Sequence, residues 1–429
     1  MADKHFNTLR DWLAWIEGLH PLKWDLGLQR VAAVAEQMGL LEPAGKLFLV
    51  AGTNGKGTTI AMMDQILRTG GYSTGVSTSP HLLTFNERIC LNGIPVTDTA
   101  ICEAFERINQ VRKDISLTYF EFATLAALYI FKGAGPDAIF LEIGLGGRLD
   151  AMNIVEPDLS VITTIQLDHQ SWLGSDLESI GREKAGIMRR GKPVVLGPDM
   201  PLSIAERAAE TGARIVAMGQ DFGADRTTAG CWEYRGTTED GKSRAISDLP
   251  YIHLPFDNCV IAVQALVSSG LRLSDEDYVT GLSQVKISGR YQEIPGPVPL
   301  VLDVAHNPHA AEHLASNLRS DKVPGKTHAV VAMYADKDCE SVLRHLDQVV
   351  DLWYFADMDD DRAESAAKLA HRLSSQRRPD TQTYGRVSSA FHMARKNAVP
   401  GDRVVVFGSF PAVAEVMSEV GVRAEFGSR

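Results

Sequence analysis

The residues best suited to chemistry lie in one glycine-rich segment, Gly52-Thr53-Asn54-Gly55-Lys56-Gly57-Thr58. It follows the apolar run LFLVA and precedes TTIAMMDQILRT, an order that predicts a strand, a tight turn and a helix. In such a turn the backbone N–H groups from Gly55 onward converge on phosphate oxygens, while Lys56 neutralises their charge and Thr58 reaches Mg²⁺. The segment therefore predicts a P-loop, although Gly57 separates the lysine from the hydroxyl residue.

Two further residues follow apolar runs that predict buried strands. A P-loop needs a second metal ligand, usually a carboxylate at the end of a neighbouring strand. Glu142 ends the run DAIFLE, so we expect it at the phosphate edge of the sheet; the alternative is an ion pair with Arg148. His169 follows SVITTIQ at the same edge, where it is either a ligand-side residue or a capping or core histidine.

Two later segments carry residues whose roles their local sequence leaves open. On its own, LESIGREKAGIM predicts a helix in which Glu183 and Lys184 form a solvated pair. The segment LDVAHNPHAAEHL predicts a strand followed by a helix with Asn307 as N-cap. Asp303 and His306 then stand at the carboxyl edge of a second sheet.

Short β-rich runs alternate with amphipathic stretches along most of the chain, which predicts an α/β fold on mostly parallel sheets. The runs at 46–52, 137–144 and 158–165 predict strands, and the polar stretch at 219–250 predicts an antiparallel excursion. Three prolines at 293–299 predict a hinge. We therefore expect a P-loop-containing N-terminal domain over 1–292 and a smaller Rossmann-like C-terminal domain over 300–429.

Composition excludes several classes of protein. The 429 residues carry 43 basic and 54 acidic side chains, a net charge of −11, which argues against general binding to nucleic acid or anionic lipid. The five cysteines contain no CxxC pair, which argues against a disulfide framework or a zinc site. The N-terminus lacks the apolar core of a signal peptide. We expect a monomer in the cytoplasm that acts on small molecules.

Seven motifs occur together and in order: GTNGKGT (52–58), STSPHL (77–82), LEIGLGGRLDAMNIV (141–155), LDHQSWLG (167–174), ESIGREKAGI (178–187), SGR (288–290) and DVAHNPHAA (303–311). In this combination the chain resembles the folylpolyglutamate synthase/dihydrofolate synthase family of the Mur ligase superfamily. The resemblance runs from about Asp25 to the GSF at 408–410. It implies an ATP-dependent ligase that phosphorylates a pteroate carboxylate and then joins L-glutamate to it.

The resemblance also implies roles for individual residues. ATP and Mg²⁺ are the implied cofactors, and Lys184 resembles the lysine that the family carbamylates. Lys56, His169, Lys184 and His306 are the implied catalytic residues. The implied nucleotide ligands are Gly55, Lys56, Gly57, Thr58, Asn258, Arg290 and Asp303, and the implied metal ligands are Thr58, Ser79, Glu142 and His169.

The substrate side follows in the same way. Residues that resemble the dihydropteroate site are Asp25, Leu26, Gly27, Thr118, Tyr119, Phe120, Glu121, Leu149, Asp150 and Ala151. His306 and Ser409 resemble residues associated with glutamate. Met152 departs from the family, which usually has a small or hydroxyl residue before Asn153, and it stands beside the implied pterin pocket.

Several alternatives stay open at this point. The enzyme adds the first glutamate to dihydropteroate, further glutamates to folates, or both. A peptidoglycan Mur ligase shares the chemistry, but the order of GTNGKGT, SPHL and LDH favours the folate branch. A P-loop nucleotide switch is disfavoured because Lys337 and Asp338 lack the Asn or Thr of a guanine-reading segment.

Overall fold

The computed structural model describes residues 6–22, 25–227, 230–373 and 380–422. These residues form two compact units. Of the described residues, the first unit contains those up to residue 80 together with those of 85–285, and the second contains residues 81–84 and those of 286–422. The division falls after Val285, so the proline-rich segment 293–299 lies within the second unit.

The elements of the first unit are as follows. Its helices are α1 (Leu9–Glu17), α2 (Gln29–Met38), α3 (Lys56–Thr69), α4 (Asp98–Arg112), α5 (Tyr119–Ala134), α6 (Gln170–Leu173), α7 (Leu177–Lys184), α8 (Leu202–Thr211), α9 (Phe256–Val267) and α10 (Asp275–Gln284). Its strands are β1 (Lys46–Ala51), β2 (Thr74–Ser77), β3 (Ile89–Leu91), β4 (Ile94–Pro95), β5 (Ala138–Glu142), β6 (Leu159–Ile162), β7 (Pro193–Leu196), β8 (Arg214–Ala217), β9 (Gly223–Arg226), β10 (Cys231–Thr237) and β11 (Ser243–Pro250).

The large sheet of the first unit has the strand order β4-β3-β2-β5-β1-β6-β7-β8 and is parallel from β2 to β8. The predicted strands at 46–52, 137–144 and 158–165 are confirmed as β1, β5 and β6. Their near-continuous apolar sequences are buried because helices cover both faces of such a sheet. Val50 pairs with Glu142 and Ala51 with Ile162, so the carboxyl ends of β5, β1 and β6 lie side by side.

Helix α3 carries the residues that follow the glycine segment. Its residues from Thr58 to Leu67 are all buried, as expected of a helix that is covered on every side. The buried carboxylate of Asp64 is satisfied by the Thr74 hydroxyl at 2.6 Å and by Arg68 Nε at 3.0 Å. The second half of α3 is thereby anchored in the core of the unit.

The predicted excursion at 219–250 is confirmed as a small antiparallel sheet in the order β11-β10-β9. Its Trp232 and Tyr234 are fully buried, and Tyr234 donates a hydrogen bond to Gln264 of α9 at 2.5 Å. The sheet therefore covers helix α9.

The second unit has its own sheet and helices. Its strands are β12 (Gln292–Ile294), β13 (Leu300–Leu302), β14 (Thr327–Val331), β15 (Leu352–Ala356), β16 (Thr381–Tyr384) and β17 (Arg403–Phe407). Its helices are α11 (Pro308–Ser320), α12 (Cys339–Leu346), α13 (Ala366–Arg372), α14 (Val387–Asn397) and α15 (Phe410–Glu419).

This second sheet has the order β12-β13-β17-β14-β15-β16 and is parallel from β13 to β16. Four apolar runs of the sequence predict strands here, PLVLDVA, THAVVAMYA, DLWYFADM and RVVVFGSF. They are confirmed as β13, β14, β15 and β17. β12 is an antiparallel edge strand, and the prolines of 293–299 lie in the turn from β12 to β13, where they cost no internal ladder bond. Asn307 caps α11 as predicted, accepting a hydrogen bond from Ala310 N at 3.0 Å.

The segment RAESAAKLAHRLSS (362–375) has a pattern that predicts a helix. The helix found there is α13, which is shorter than expected, and residues 374–375 lie outside the described residues. Among the described residues, none of the helices combines the length and apolarity that crossing a bilayer requires.

Gly52 is expected to be intolerant of substitution. It leaves β1 with a φ of 151°, and a Cβ there would overlap the hydroxyl of buried Thr163. We expect Gly52→Ala to lower the free energy of unfolding by about 1–3 kcal/mol, as overpacking does. Gly133→Ala is the matched control: it lies in α5 with open space around it, so it should raise stability by up to ~1 kcal/mol. Urea denaturation measures both, and a Gly52→Ala protein as stable as the wild type would contradict the packing seen here.

Candidate active site

The glycine segment is held in place by the end of β6. Thr53 N–H donates to Thr164 O at 2.8 Å, and Asn54 N–H donates to Thr164 Oγ1 at 3.0 Å. The Thr163 hydroxyl donates to Asn54 O at 2.6 Å, and the Asn54 amide donates to Gln166 Oε1 at 2.9 Å. Gly55 takes the left-handed φ of 85° at the N-cap of α3. The loop therefore presents the free N–H groups of a helix N-terminus, which is an anion-binding arrangement.

Lys56 and Glu142 meet at the carboxyl ends of β1 and β5. Lys56 Nζ donates to Gly52 O at 3.1 Å and lies 3.9 Å from Glu142 Oε1. Glu142 Oε2 accepts a hydrogen bond from Ser79 N at 2.9 Å. Arg148, the alternative partner of Glu142, instead pairs with Glu183 at 2.8 Å. Glu142 therefore lies beside Lys56 at the carboxyl edge of the sheet, where the sequence predicts it, and does not pair with Arg148.

The oxygens at this edge fit a hard divalent cation. A Cβ at Gly57 would lie 3.6 Å from Glu142 Oε2, so the carboxylate lies against the first turn of α3, where Thr58 is buried. Within the described residues no group of three or more His, Cys, Asp or Glu side chains could hold a metal. One carboxylate with hydroxyls suits Mg²⁺, which keeps several waters and binds substrate phosphates.

A small cavity of about 30 Å³ lies beside the glycine segment. Lys56, Asp168, His169 and Lys184 line it together with Gly52, Thr53, Leu173 and residues 143–146. His169 has a positive φ of 50° at the N-cap of α6, and its side chain is 42% exposed. Its side chain makes no capping hydrogen bond and lines the cavity, and its role toward a ligand stays a prediction.

Lys184 differs most from what its local sequence predicts. It is only 4% exposed, and within the described part of the chain its amine makes no hydrogen bond or ion pair. Its neighbour Glu183 pairs with Arg148 instead, so the solvated Glu183–Lys184 pair is wrong. Burial, together with the charge of Lys56, lowers the pKa of the Lys184 amine to about 7, while Asp168 and Asp150 act in the opposite direction.

Asp150 organises the turn after β5. Its carboxylate accepts hydrogen bonds from Leu145 N at 2.8 Å and Met152 N at 2.9 Å. Full burial raises the pKa of Asp150 to about 6 against the lowering effect of these N–H groups. Leu149 is half-buried, and Ala151 and Met152 are buried in the core. Met152, which departs from the family pattern, is thus a core residue.

The residues that resemble the pterin site come together around Arg30. Asp25 Oδ2 accepts from Arg30 Nη1 at 2.6 Å and lies 3.2 Å from His20 Nε2. Arg30 Nη2 also reaches Glu121 Oε1 at 3.2 Å. Leu26 packs against the core beside this cluster, and Gly27 follows it.

The start of α5 supplies the other residues of this group. Thr118 and Glu121 form a capping box, with Glu121 Oε2 accepting from Thr118 N at 2.7 Å. The rings of Tyr119 and Phe120 then project from the first turn. A Cβ at Gly144 would overlap the Phe120 ring, so α5 contacts the turn that leads to Asp150. The structure therefore brings three separated segments of the predicted site together.

Asn258 lies in the first turn of α9 and is 3% exposed. A Cβ at Gly55 would overlap its side-chain amide, so this amide packs directly against the glycine segment. The structure therefore places Asn258 against the glycine segment, although the two are far apart in the sequence.

The second unit gathers the remaining predicted residues where β13 and β17 end. Asp303 is buried and accepts hydrogen bonds from Tyr291 N and Ala305 N, both at 2.8 Å. Burial raises its pKa, while the charge of Arg290 acts in the opposite direction. Tyr291 has a positive φ of 43°, uncommon for a bulky residue. Asp303 therefore fixes the backbone next to Arg290.

His306 and Ser409 lie at the same edge. His306 Nδ1 is 2.8 Å from Val304 O, and because a carbonyl only accepts, Nδ1 carries the proton and Nε2 is the acceptor of the neutral ring. The Ser409 hydroxyl caps α15 by accepting from Ala412 N at 3.3 Å and lies 3.1 Å from Met358 Sδ. Ser409 is 2% exposed.

Several residues of these clusters escape sequence reasoning. Arg88 lies over the rings of Phe85 and Tyr119 at 5.7 and 5.6 Å, and burial lowers its pKa. His20 and Arg30 hold Asp25. The sequence offers only weak signals for them: Arg88 lies in the segment FNERI, and Arg30 lies near Asp25 in the chain. Neither signal indicates a contact partner. The contacts arise from tertiary packing.

The fold and site define a P-loop α/β protein with a second Rossmann-like unit. The sequence matches the Mur ligase middle domain over residues 50–246 and the Mur ligase glutamate ligase domain over residues 289–410. It is 42% identical to the dihydrofolate synthase/folylpolyglutamate synthase of Escherichia coli strain K12 over 426 residues, covering 98% of this chain and 97% of that protein.

Two solved structures extend the comparison. The structure is similar to E. coli FolC in complex with DHPP and ADP, with a TM-score of 0.91, 41% identity and coverage of 97% and 98% of the two chains. It is also similar to a bifunctional folylpolyglutamate synthase/dihydrofolate synthase with Mn, AMPPNP and L-glutamate bound. That comparison has a TM-score of 0.90 and 44% identity, and it covers 97% of this chain and 98% of the other. The chain belongs to the dihydrofolate synthase/folylpolyglutamate synthase family of Mur ligases.

The burial of Lys184 predicts a pH-dependent cost in stability. Its pKa is about 7 in the folded protein and 10.5 as an ordinary lysine, so between these values the unfolded chain binds the extra proton. Wild-type stability should therefore rise from pH 7 toward 10.5, and the cost is complete below pH 7. In CO₂-free buffer Lys184→Met should be the more stable protein at pH 7, with an advantage that disappears near pH 10.5.

Urea denaturation across pH checks this, with Lys192→Met as the matched control. Lys192 is exposed and pairs with Asp158 at 3.0 Å, so its replacement should show no such rise. A difference between Lys184→Met and wild type that stays constant with pH would contradict the buried amine.

Proposed function

We propose that this enzyme joins L-glutamate to dihydropteroate and further glutamates to reduced folates, with ATP as the energy source. The relatives support the substrate class by their names and bound molecules. The observation that carries the proposal is the position of Lys56, which belongs at once to the glycine segment, to the Glu142 edge and to the cavity of Lys184. That arrangement suits phosphoryl transfer to a carboxylate.

In the first step, an oxygen of the acceptor carboxylate attacks the γ-phosphorus of ATP. A carboxylate O–P bond forms, the bond from the γ-phosphorus to the β,γ-bridging oxygen breaks, and ADP leaves. Such a transfer depends mainly on positioning and charge neutralisation. Lys56 supplies positive charge, and the N–H groups of Gly55, Gly57 and Thr58 hold the phosphates. Asn258 packs against this loop and orients the nucleotide.

Mg²⁺ would be held by oxygens of Thr58, Ser79 and Glu142, with His169 at the neighbouring cavity. When bound, it neutralises phosphate charge. Glu142 is already oriented for this by Ser79 N. The absence of a larger carboxylate cluster in the described residues fits a cation that shares its coordination with the triphosphate.

In the second step, the amine of L-glutamate attacks the acyl carbon. An amide C–N bond forms, the bond to the phosphate oxygen breaks, and the amine loses a proton. His306 Nε2 is the acceptor of the neutral ring and is suited to hold or accept that proton. Ser409 stands at the same edge of the second sheet, and Arg290, with Asp303, contributes to nucleotide binding.

The pterin end of the acceptor is assigned to residues 25–27, 118–121 and 149–151. Asp25 offers a carboxylate whose position Arg30 and His20 fix. Tyr119 and Phe120 supply aromatic surface for a flat ring. We propose that the first unit holds this acceptor, that the second binds glutamate, and that the enzyme acts as a cytoplasmic monomer.

Lys184 is proposed to act as a carbamate. The neutral amine attacks the carbon of CO₂, an N–C bond forms and a proton is released, which converts a cation into a carboxylate-like group. An amine whose pKa is about 7 is neutral in a large fraction of molecules near neutral pH. The product removes the repulsion between the Lys184 and Lys56 charges.

Product analysis tests the function directly. With ATP and L-glutamate, dihydropteroate should yield dihydrofolate, and tetrahydrofolate should gain further glutamates, both detected by mass spectrometry. Lys56→Ala should lose on the order of 10²-fold or more in rate, because a charged phosphate contact is removed, whereas the exposed Lys192→Ala should retain activity. Glutamylation of tetrahydrofolate alone would favour a monofunctional folylpolyglutamate synthase, and near-normal turnover by folded Lys56→Ala would contradict the site.

Labelling with ¹³C-bicarbonate tests the carbamate. The wild type and Lys192→Ala should both show a protein-bound carbamate signal by ¹³C NMR, and Lys184→Ala should lack it. Lys184→Ala should also lose most activity, with partial recovery on adding formate or acetate, which supply oxygens of the same type. Full activity of Lys184→Ala in CO₂-depleted buffer would show that the modification has no role.

A further inference from the structure

Phe410 lies between two residues to which the proposed function gives different tasks. It is the first residue of α15, directly after Ser409, and Pro411 follows it. Its ring is half-buried against the apolar core beneath β13 and β17. The Ser409 cap and the proline restrict the backbone on both sides, so the ring is held in a defined position.

Arg290 lies on one side of this ring. Its guanidinium carbon is 5.7 Å from the ring centroid, within the range of a cation–π interaction. In the described part of the chain the guanidinium makes no hydrogen bond or ion pair, although Asp303 attracts its charge. The aromatic face thus positions the guanidinium without occupying its five N–H donors, which remain available for phosphate oxygens.

His306 contacts the same ring. The two ring centroids are 6.3 Å apart with the planes tilted by 54°, a common aromatic geometry. The hydrogen bond from Nδ1 to Val304 O fixes one atom of the imidazole, and the Phe410 ring limits rotation about that point. Nε2 is thereby kept in one orientation.

We infer that Phe410 is a positioning residue that orients Arg290 for the nucleotide and His306 for glutamate. The inference rests on the proposed function, because that function supplies the roles of the two partners. A single side chain then affects the binding of two chemically unrelated substrates. A residue that only fills the core would affect stability and neither substrate.

Steady-state kinetics on four variants tests this. Phe410→Leu keeps apolar volume but removes the aromatic face. The KM for ATP should rise about three- to tenfold through loss of the cation–π contact with Arg290, and the KM for L-glutamate by a similar factor through loss of the ring contact that orients His306. Phe410→Tyr keeps the ring and should stay near wild type. Arg290→Ala should raise the KM for ATP alone, and adding Phe410→Leu to it should raise only the KM for glutamate further.

Phe391→Leu is the matched control, because Phe391 is a buried residue of α14 in the same core cluster. It should lower the Tm without changing either KM. If Phe410→Leu does the same while Arg290→Ala raises the KM for ATP, Phe410 only packs the core and the inference is overturned with the role of Arg290 intact. If Arg290→Ala leaves the KM for ATP unchanged and His306→Ala leaves both kcat and the KM for L-glutamate unchanged, the assigned roles fail and the inference falls with them.

Discussion

The attachment of the glycine segment to the end of β6 determines where the charges of this site lie. Thr163 and Thr164 form hydrogen bonds with the backbone of Thr53 and Asn54. The first turn of α3 is therefore fixed in position at the carboxyl edge of the sheet. Lys56 then stands between the carboxylate that ends β5 and the cavity that contains Lys184. Each of these positions depends on neighbouring parallel strands ending at one edge.

The same arrangement gathers buried charges at one place, and their burial lowers the stability of the folded protein. Lys56 and Lys184 are both cationic when protonated and lie near one cavity, and the carboxyl group of Asp150 is fully buried. Burial moves the pKa of Lys184 down and that of Asp150 up because each charged form loses its hydration. A site that handles phosphate and carboxylate substrates uses such charges, and the ligands supply the missing counter-ions.

In the second unit, hydrogen bonds to backbone groups hold the candidate site residues in position. Asp303 uses its two oxygens on the N–H groups of Tyr291 and Ala305, and His306 is held by a carbonyl. Arg290 and His306, the side chains that we propose face substrate, are thus positioned next to a backbone that these contacts fix. Ser409 is likewise held by a backbone group, since its hydroxyl caps α15 by accepting from Ala412 N.

The sequence by itself determined β1, β5 and β6 of the large sheet, β13, β14, β15 and β17 of the second sheet, the glycine segment and the capped helix at Asn307. Each of these follows from local periodicity, turn chemistry or capping. It also indicated Glu142 at the strand edge. Tertiary structure alone decided that Lys184 is buried with no hydrogen bond or ion pair to another described residue. It also decided that Asn258 packs on Gly55, and that Arg30 joins Asp25 to Glu121. The position at which the two units divide, after Val285, likewise came from the structure, whereas the prolines indicated residues 293–299. The physical reason is that burial, and with it a pKa, is set by residues distant in sequence, whereas a turn or a cap is set within a few residues.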